Sequence, residues 1–218
     1  KDINFSIKYN PLKAIKLIKD SSKVKFDETL DVAIKLDIDS SKSDQGIRGI
    51  VNLPHGTGKK IKVAVLAKDE KAKEAQEAGA DIVGEKDLEE SILKGKIDFD
   101  ILISTPDMMP TVGKLGKILG PKGLMPNPKL GSVANDVSNA VKKAKSGQVQ
   151  FKNDKAGIIH AGIGKLKFSE ENLLENLKVF YETIKKNKPD SVKGSFIKKV
   201  SIASTMGFGL ELNLGDLK

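Results

Sequence analysis

The chain changes character at Ile61-Lys-Val-Ala-Val-Leu-Ala67, and this stretch decides its fold. Six of these seven residues are apolar, as expected for a strand that is buried on both faces of a parallel sheet. An Ala/Glu/Lys-rich segment follows over residues 69–78 and ends at Gly79, which predicts a helix. A buried strand that leads directly into a helix is the beginning of a βαβ unit.

The alternation of strand and helix continues as far as Gly147. Short apolar runs and amphipathic segments predict strands over 81–84 and 99–104 and helices over 87–94, within 106–119 and around 137–144. The last helix carries its apolar residues at i, i+3, i+4 and i+7, and Gly147 ends it. This middle part of the chain is therefore predicted to be an α/β segment with a parallel sheet.

The two ends of the chain have a different pattern. Asn10-Pro11 predicts a helix start, because asparagine caps helices and proline favours the first helical position. From Leu30 to Ile38 every second residue is apolar, which predicts a strand with one buried and one solvated face. Further strands are predicted over 46–54 (returning after a polar turn), 149–151, 158–168, 196–203 and 208–214, with a helix capped by Ser169 and closed by Pro189.

The predicted fold class is therefore α/β combined with α+β, in two domains. Residues 57–148 form an α/β domain inserted into a split α+β domain, which consists of residues 1–56 and 149–218. The chain crosses between the domains twice, near Gly56 and Gly58 and again near Gly147. We expect these three glycines to form a hinge.

Composition indicates a soluble globular protein with an acidic partner. Of the 218 residues, 39% are hydrophobic and 31% are charged, and no apolar run reaches membrane-spanning length. The absence of cysteine excludes disulfides and thiolate metal sites and fits a reducing cytosol. The net charge is +9, and Arg48 is the only arginine, so lysines supply nearly all the positive charge. Lysine suits phosphate backbones better than base edges, which favours recognition of nucleic acid by shape.

The segment from Val112 to Gly131 is rich in glycine and proline and contains no acidic residue. Its prolines prevent a continuous helix and favour a fixed shape over a slack linker. Four lysines without a compensating acid suggest that this shape faces something negative, namely Lys114, Lys117, Lys122 and Lys129. A stiff connection whose lysines only maintain solubility remains an equally good interpretation.

No motif for catalysis, for a cofactor or for a metal is complete. Gly56-Thr-Gly-Lys-Lys60 is similar to the end of a phosphate-binding P-loop, but Leu53 replaces its first glycine and Lys60 its Ser or Thr. The two histidines, His55 and His160, have no neighbouring partners that would complete a nucleophile or metal set. We therefore expect no catalytic residues, cofactor, metal or small-molecule substrate, and keep a nucleotide-dependent enzyme built on the α/β domain as the alternative.

Two short stretches have the chemistry of RNA contacts. Lys25-Phe-Asp-Glu-Thr29 places a cation, an aromatic ring and a hydroxyl at the start of the first alternating strand. Ser204-Thr-Met-Gly207 interrupts a regular strand pair with hydroxyls, an apolar side chain and a glycine that permits close backbone approach. The competing interpretations are a phenylalanine packed in the core and a simple hairpin turn.

These stretches belong to a set of motifs that resembles the L-one family of bacterial large-subunit ribosomal proteins. The similarity covers nearly the whole chain in order, and it rests on the residues 25–29, 43–45 with 48–49, 53–59, 105–107, 120–129, 153–155 and 204–207. The resemblance implies a Rossmann-like domain inserted into a split RNA-binding domain. It also implies a protein that binds large-subunit rRNA, forms the mobile stalk near the ribosomal exit site and helps to release deacylated tRNA. Many members also repress translation of their own mRNA.

Carried over by position, the resemblance implies rRNA contacts at Lys25, Phe26, Thr29, Asp154, Lys155, Thr205, Met206 and Gly207. The lysines of the Gly/Pro-rich segment would then face the exit-site tRNA. The implied setting is a monomer within the cytoplasmic ribosome, with no membrane association. Two residues depart from the family pattern: Phe208 replaces a smaller residue or proline, and Lys199 replaces a common serine.

Overall fold

A computed structural model of the chain describes residues 4–5, 7–39, 42, 45–192 and 194–217, apart from the side chains of Asp69, Glu70, Lys86 and Lys129. By its internal contacts the chain divides into two compact units. The split unit consists of Lys1–Lys59 and Gly147–Lys218, and the inserted unit of Lys60–Ser146. The domain ranges 1–56, 57–148 and 149–218 were inferred from the sequence and remain a prediction. Ser43 and Asp44, which contribute to the family resemblance, lie outside the described residues.

The described part of the chain contains the following strands and helices in order: α1 Pro11–Ser21, β1 Thr29–Leu36, β2 Arg48–Asn52, β3 Val63–Leu66, α2 Asp69–Glu77, β4 Ile82–Gly84, α3 Lys86–Leu93, β5 Ile101–Ser104, α4 Met109–Leu119, α5 Val137–Lys145, β6 Gln148–Lys152, β7 Ile158–Lys165, α6 Glu170–Lys186, β8 Ile197–Ser204 and β9 Gly209–Glu211. Short 3-10 helices precede α4, over Pro106–Met108, and follow β9, over Leu214–Leu217. The mixed α/β and α+β fold class predicted from the sequence is confirmed.

The split unit is built on a four-stranded antiparallel sheet in the order β7-β1-β8-β9. The period-two pattern of β1 matches its burial as predicted: the apolar residues Leu30, Val32, Ile34 and Leu36 are all buried. They face α1 and α6, whose apolar stripes join the same core, with Phe180 of α6 as its largest fully buried side chain. Capping by Asn10 and by Ser169 starts these two helices as expected, since each side chain accepts an N–H from the first turn.

The strand predicted over 46–54 does not return along β1. It forms β2, which among the described strands pairs with β6 alone, in a separate two-stranded ribbon. The physical reason is that both edges of β1 are already occupied, by β7 on one side and β8 on the other. The sequence pattern indicated a strand here but carried no information about its partner.

Several strands are shorter than predicted, and at β7 and β9 the structure shows what ends them. β7 ends at Lys165 because the chain turns there, with the Phe168 N–H donating to the Lys165 carbonyl. β9 ends at Glu211, and beyond it the sheet is extended by the N-terminal segment, which forms a parallel bridge between Tyr9 and Leu212. The alternation that continues to Leu214 thus reflects burial beside Tyr9 and not a longer strand.

The inserted unit has the predicted parallel sheet, in the order β4-β3-β5. All four residues of β3 are buried, because both faces of the sheet are covered. Val63 and Val65 pack in one core with residues of α2 and α5, while Ala64 and Leu66 pack in a second core with residues of α3 and α4. The nearly continuous apolar run at residues 61–67 follows from this double coverage.

Candidate nucleic-acid interface

The two stretches that the sequence singled out are brought together in the split unit. Residue 30 of β1 pairs with residue 204 of β8, so the start of one strand lies beside the end of the other. The Thr29 backbone N–H donates to the Thr205 hydroxyl oxygen at 3.0 Å. Segments 176 residues apart in the chain therefore form one local structure.

A buried carboxylate, Glu28, holds this structure together. Its side chain accepts the backbone N–H of Met206 at 2.8 Å and the hydroxyl of Ser22 at the end of α1. The residue is only 2% exposed. The bond from Ser22, then the bond from Met206 and a bond from Ser204 hold the pKa of Glu28 below its ordinary value, against the opposing effect of burial. The buried carboxylate of Glu28 therefore fixes the turn at residues 204–207.

Gly207 is required here because of a close approach and not because of a positive φ. A Cβ atom at this position would lie 2.3 Å from the Ser204 hydroxyl oxygen. Gly207 is not among the glycines with positive φ. The side chain that it would displace is one of the groups that bond Glu28, so the glycine and the carboxylate belong to one arrangement.

Apolar side chains project from this polar arrangement into solvent. Met206 is 71% exposed and Phe26 is 54% exposed. The interpretation of Phe26 as a core residue is therefore wrong, and residues 204–207 are more than a bare hairpin turn. Lys25 is also exposed beside Phe26, and both line a shallow groove of about 320 Å³. An exposed aromatic ring next to lysines is the chemistry of base stacking with phosphate contact.

Lys165 is a further cation at this end of the sheet, and the sequence reading missed it. Its ammonium group donates to the Asp27 carbonyl at 3.1 Å and to the Thr29 hydroxyl at 3.0 Å. Glu28 was missed as well, although one signal was present. It shares the even-numbered phase of Leu30, Val32 and Ile34, so the pattern already pointed its side chain inward.

Asp154 and Lys155 lie at the opposite end of the same strands and not beside residues 204–207. Both are exposed in the turn between β6 and β7. The Ile158 N–H donates to the Asp154 carboxylate at 2.7 Å, and this bond is the main reason that the pKa of Asp154 is lowered. The turn lies near Lys35, which is six residues along β1 from Thr29, or about 20 Å.

Between these two ends lies the solvent-facing side of the sheet, which we call the open face. Cross-strand pairing arranges its residues in rows, of which one is Gly162, Asp31, Ala203 and Gly209 and the next is His160, Ala33, Ser201 and Glu211. These rows, without Glu211, line a depression of about 530 Å³. Glu211 is paired with Lys199 at 2.8 Å. The uncommon Lys199 is therefore engaged by a carboxylate within the protein.

The lysines of the Gly/Pro-rich segment belong to the inserted unit. Lys114 and Lys117 lie on α4 and Lys122 follows it, and all three are exposed. In the described part of the chain none of the three makes a hydrogen bond or ion pair, and the side chain of Lys129 lies outside that part. The segment is held by its own backbone, for example by the bond from the Leu124 N–H to the Leu119 carbonyl, and by buried Pro126.

The glycines predicted as a hinge have the backbone geometry that only glycine adopts easily. Gly56, Gly58 and Gly147 have φ values of 64°, 70° and 96°. A Cβ atom on Gly147 would lie 2.4 Å from the Gly56 Cα, so the two chain crossings run side by side. Buried Asn176 of α6 donates to the carbonyls of Gly56 and Ile163, which ties one crossing to the sheet. Their role as a hinge stays a prediction.

The structure offers no nucleotide site at the glycine-rich motifs. Residues 56–60 lead into strand β3 and do not open a helix, so the N-terminal dipole that binds phosphate in a P-loop is missing. Gly162 and Gly164 lie within β7. Among the described residues there is also no cluster of three or more His, Asp or Glu side chains that could hold a metal ion. Among the helices described above, none combines the length and the apolar composition of a membrane span.

Comparison with known proteins gives a consistent result. Residues 17–208 match the model of the family described as "Ribosomal protein L1p/L10e family". The chain is 54% identical over 209 residues to the large ribosomal subunit protein uL1 of Rickettsia peacockii (strain Rustic), a match that covers 96% of this chain and 87% of that protein. It is 53% identical over 210 residues to the protein of the same name from Prochlorococcus marinus (strain NATL1A), covering 96% and 89%.

Proposed function

The chain belongs to the ribosomal protein L1p/L10e family, and from that premise we propose that its split unit binds large-subunit rRNA through residues 25–29 and 204–207. Like its relatives, it is a structural constituent of the large subunit of the cytoplasmic ribosome and not an enzyme. The observation that carries the rRNA site is the turn held by Glu28, because it presents Met206 outward on a fixed backbone.

Shape recognition accounts for this arrangement better than nonspecific charge attraction. An exposed methionine and an exposed phenylalanine cost free energy in water and are explained if RNA covers them. Lys25 lines the same groove as Phe26 and provides a phosphate contact. The hydroxyls of Thr29 and Thr205 belong to one hydrogen-bonded group that can also bond a ribose 2′-OH. Asp154 and Lys155 provide a second contact about 20 Å along the sheet.

Stalk formation, tRNA release and repression of the protein's own mRNA are part of the same proposal. The rRNA-bound protein forms the mobile stalk near the exit site, and Lys114, Lys117, Lys122 and Lys129 of the inserted unit contact the exit-site tRNA and assist its release. The unpartnered state of the first three supports a role in binding a polyanion. Repression of its own mRNA follows if that message presents the same RNA shape to the split unit. The protein acts as a monomer in the ribosome.

One experiment tests the rRNA assignment. The protein is incubated with purified large-subunit rRNA, unprotected RNA is removed with nuclease, and the protected fragment is sequenced. We expect one enriched fragment, and binding to it should weaken with salt at a log-log slope of about −3 to −5, as for four to six phosphate contacts. Protection of no particular segment would contradict the proposal. Binding of ATP or a dinucleotide would instead favour an enzyme.

A further inference from the structure

Phe5 is an exposed aromatic side chain for which the contacts proposed above do not account. It is 64% exposed, which is more than Phe26 at 54%. Single apolar residues are common on protein surfaces, so exposure alone carries no argument. What distinguishes Phe5 is that the structure holds it in place, directly beside the turn at residues 204–207.

The backbone around Phe5 is anchored by Tyr9. The Tyr9 hydroxyl donates to the Asn4 carbonyl at 3.0 Å and accepts the Asn4 N–H at 3.2 Å. Tyr9 is itself attached to the edge of the sheet, since its N–H donates to the Glu211 carbonyl at 2.8 Å and its carbonyl accepts the N–H of Asn213 at 2.9 Å. The backbone next to Phe5 is therefore tied to β9 through one tyrosine.

The ring of Phe5 is supported by a second ring, that of Phe208. The two rings meet edge to face, with centroids 5.9 Å apart and planes at 78°. Phe208 directly follows the turn at residues 204–207 and packs against the core of the split unit. It is also one of the two residues that depart from the family pattern. Phe208 thus forms a fixed base that presents Phe5 to solvent at the edge of the sheet.

Three exposed apolar side chains consequently lie along one end of the sheet. Phe26 precedes the start of β1, Met206 lies between β8 and β9, and Phe5 lies beyond β9 through its contact with Phe208. Neighbouring strands are about 4.8 Å apart, so three strand spacings distribute these side chains over about 15 Å. An RNA strand that crosses this end of the sheet would meet each of them in turn.

We propose that Phe5, supported by Phe208, stacks on a nucleotide of the bound RNA next to the part that covers Met206, which extends the RNA contact to the edge of the sheet. This inference rests on the proposed rRNA site. RNA is the occupant because the aromatic pair is continuous with the turn at residues 204–207 and the chain carries a net charge of +9. Every base has a π face, so Phe5 adds affinity without selecting a base.

The first test compares substitutions of Phe5 in titrations with the nuclease-protected rRNA fragment. Phe5→Ala should weaken binding about tenfold, as for the loss of one stack between a base and an aromatic ring. Phe5→Leu keeps apolar bulk but not the ring, and should recover little of this loss. The matched control is Ile7→Ala, which changes an apolar residue of the same segment that is 48% exposed. It should keep the affinity within about twofold of wild type, and thermal unfolding of all three variants should match wild type.

The second test reports stacking directly. The chain contains no tryptophan, so Phe5→Trp introduces a single fluorescent probe. A base that stacks on the indole quenches its fluorescence, so we expect quenching when the fragment is added, with an affinity close to that of wild type. The control is Leu93→Trp, on α3 of the inserted unit, where the native side chain is 54% exposed. The same fragment should leave its fluorescence unchanged.

The proposal is overturned if Phe5→Ala binds the fragment as tightly as wild type, which would leave a protein as the partner of Phe5. It is also overturned if Phe5→Leu retains wild-type affinity or if Phe5→Trp binds the fragment without quenching. The underlying rRNA assignment fails separately, if the wild-type protein does not distinguish the fragment from a mixed-sequence RNA duplex of the same length. The two failures are distinguishable because the second is seen without any substitution.

Discussion

Two glycine-containing segments, residues 204–207 in the split unit and 120–129 in the inserted unit, are proposed to meet RNA, yet they are stabilised in different ways. The first is held by side chains from distant parts of the chain, with Glu28 bonding the Met206 N–H and Thr205 accepting from Thr29. The second is held by local bonds, such as those from the Leu124 N–H to the Leu119 carbonyl and from the Asn127 N–H to the Ser132 hydroxyl, and by buried Pro126. Lys114, Lys117 and Lys122, on and after α4, make no side-chain bonds with the described residues.

This difference shows how each segment can recognise a ligand. A turn fixed by a buried network presents one shape, so a change of a single atom there alters recognition strongly. Unpaired lysines on an exposed helix present charge, and charge contacts are individually weak and replaceable. We therefore expect single substitutions to have large effects at residues 204–207 and combined substitutions to have small effects on rRNA binding in the inserted unit.

The largest effect is expected from Gly207→Val. Its Cβ would lie 2.3 Å from the Ser204 hydroxyl oxygen, so Ser204 must move and its bond to Glu28 is lost. Overpacking of about 1–3 kcal/mol together with the lost hydrogen bond gives a cost of about 2–4 kcal/mol. We expect most of this cost in the affinity for the rRNA fragment, measured by titration, because the turn is displaced.

A double-mutant cycle separates this clash from a general loss of folding. Ser204→Ala removes the hydroxyl that a new Cβ would meet, leaving Ser204 Cβ at an ordinary 3.5 Å. Gly207→Ala should therefore reduce the affinity for the rRNA fragment clearly less in the Ser204→Ala background than in wild type. Equal costs in both backgrounds would show that the hydroxyl contact is not the reason for the glycine.

Met206→Ala should weaken rRNA binding by about 1–3 kcal/mol if the side chain covers a base or ribose as aromatic platforms do. Because Met206 is 71% exposed, the free energy of unfolding should hardly change. The matched control is Met125→Ala, which removes an exposed methionine of the inserted unit that is 43% exposed. Equal effects of the two substitutions on rRNA affinity would remove the distinction between the segments.

Glu28→Gln should lower the free energy of unfolding by about 1–2 kcal/mol, because the amide cannot accept all the bonds that the carboxylate accepts. The pH dependence follows from the lowered pKa of Glu28, whose ordinary value is 4.5. The stabilisation is present above that value and is lost as pH falls through the lower pKa of the folded state. The difference in stability between wild type and Glu28→Gln should therefore shrink below pH 4.5, as measured by denaturant titration at several pH values. A difference that is independent of pH would show that the charge of Glu28 contributes nothing.

Much of this arrangement was predictable from the sequence, and the remainder has physical reasons. Periodicity predicted β1 and the buried run at β3, since burial on one face or two leaves different patterns. It could not predict that β2 pairs with β6, because strand pairing is a property of the whole sheet. Glu28 and Met206 are 178 positions apart, so the sequence could not predict their contact. The inward direction of the Glu28 side chain was predictable from its phase along β1.

The smallest effect on rRNA binding is expected from the combined change of Lys114, Lys117, Lys122 and Lys129 to Gln. The first three are exposed and make no bonds with the described residues, so neither stability nor the turn at residues 204–207 should change. Affinity for the isolated rRNA fragment should stay within about twofold of wild type, because phosphate contacts from these lysines are not part of that site. Ribosomes that carry the variant should instead release exit-site tRNA abnormally, which is measured by the dissociation of labelled deacylated tRNA. If the variant loses the rRNA fragment while Met206→Ala retains it, the roles of the two segments are the reverse of those proposed.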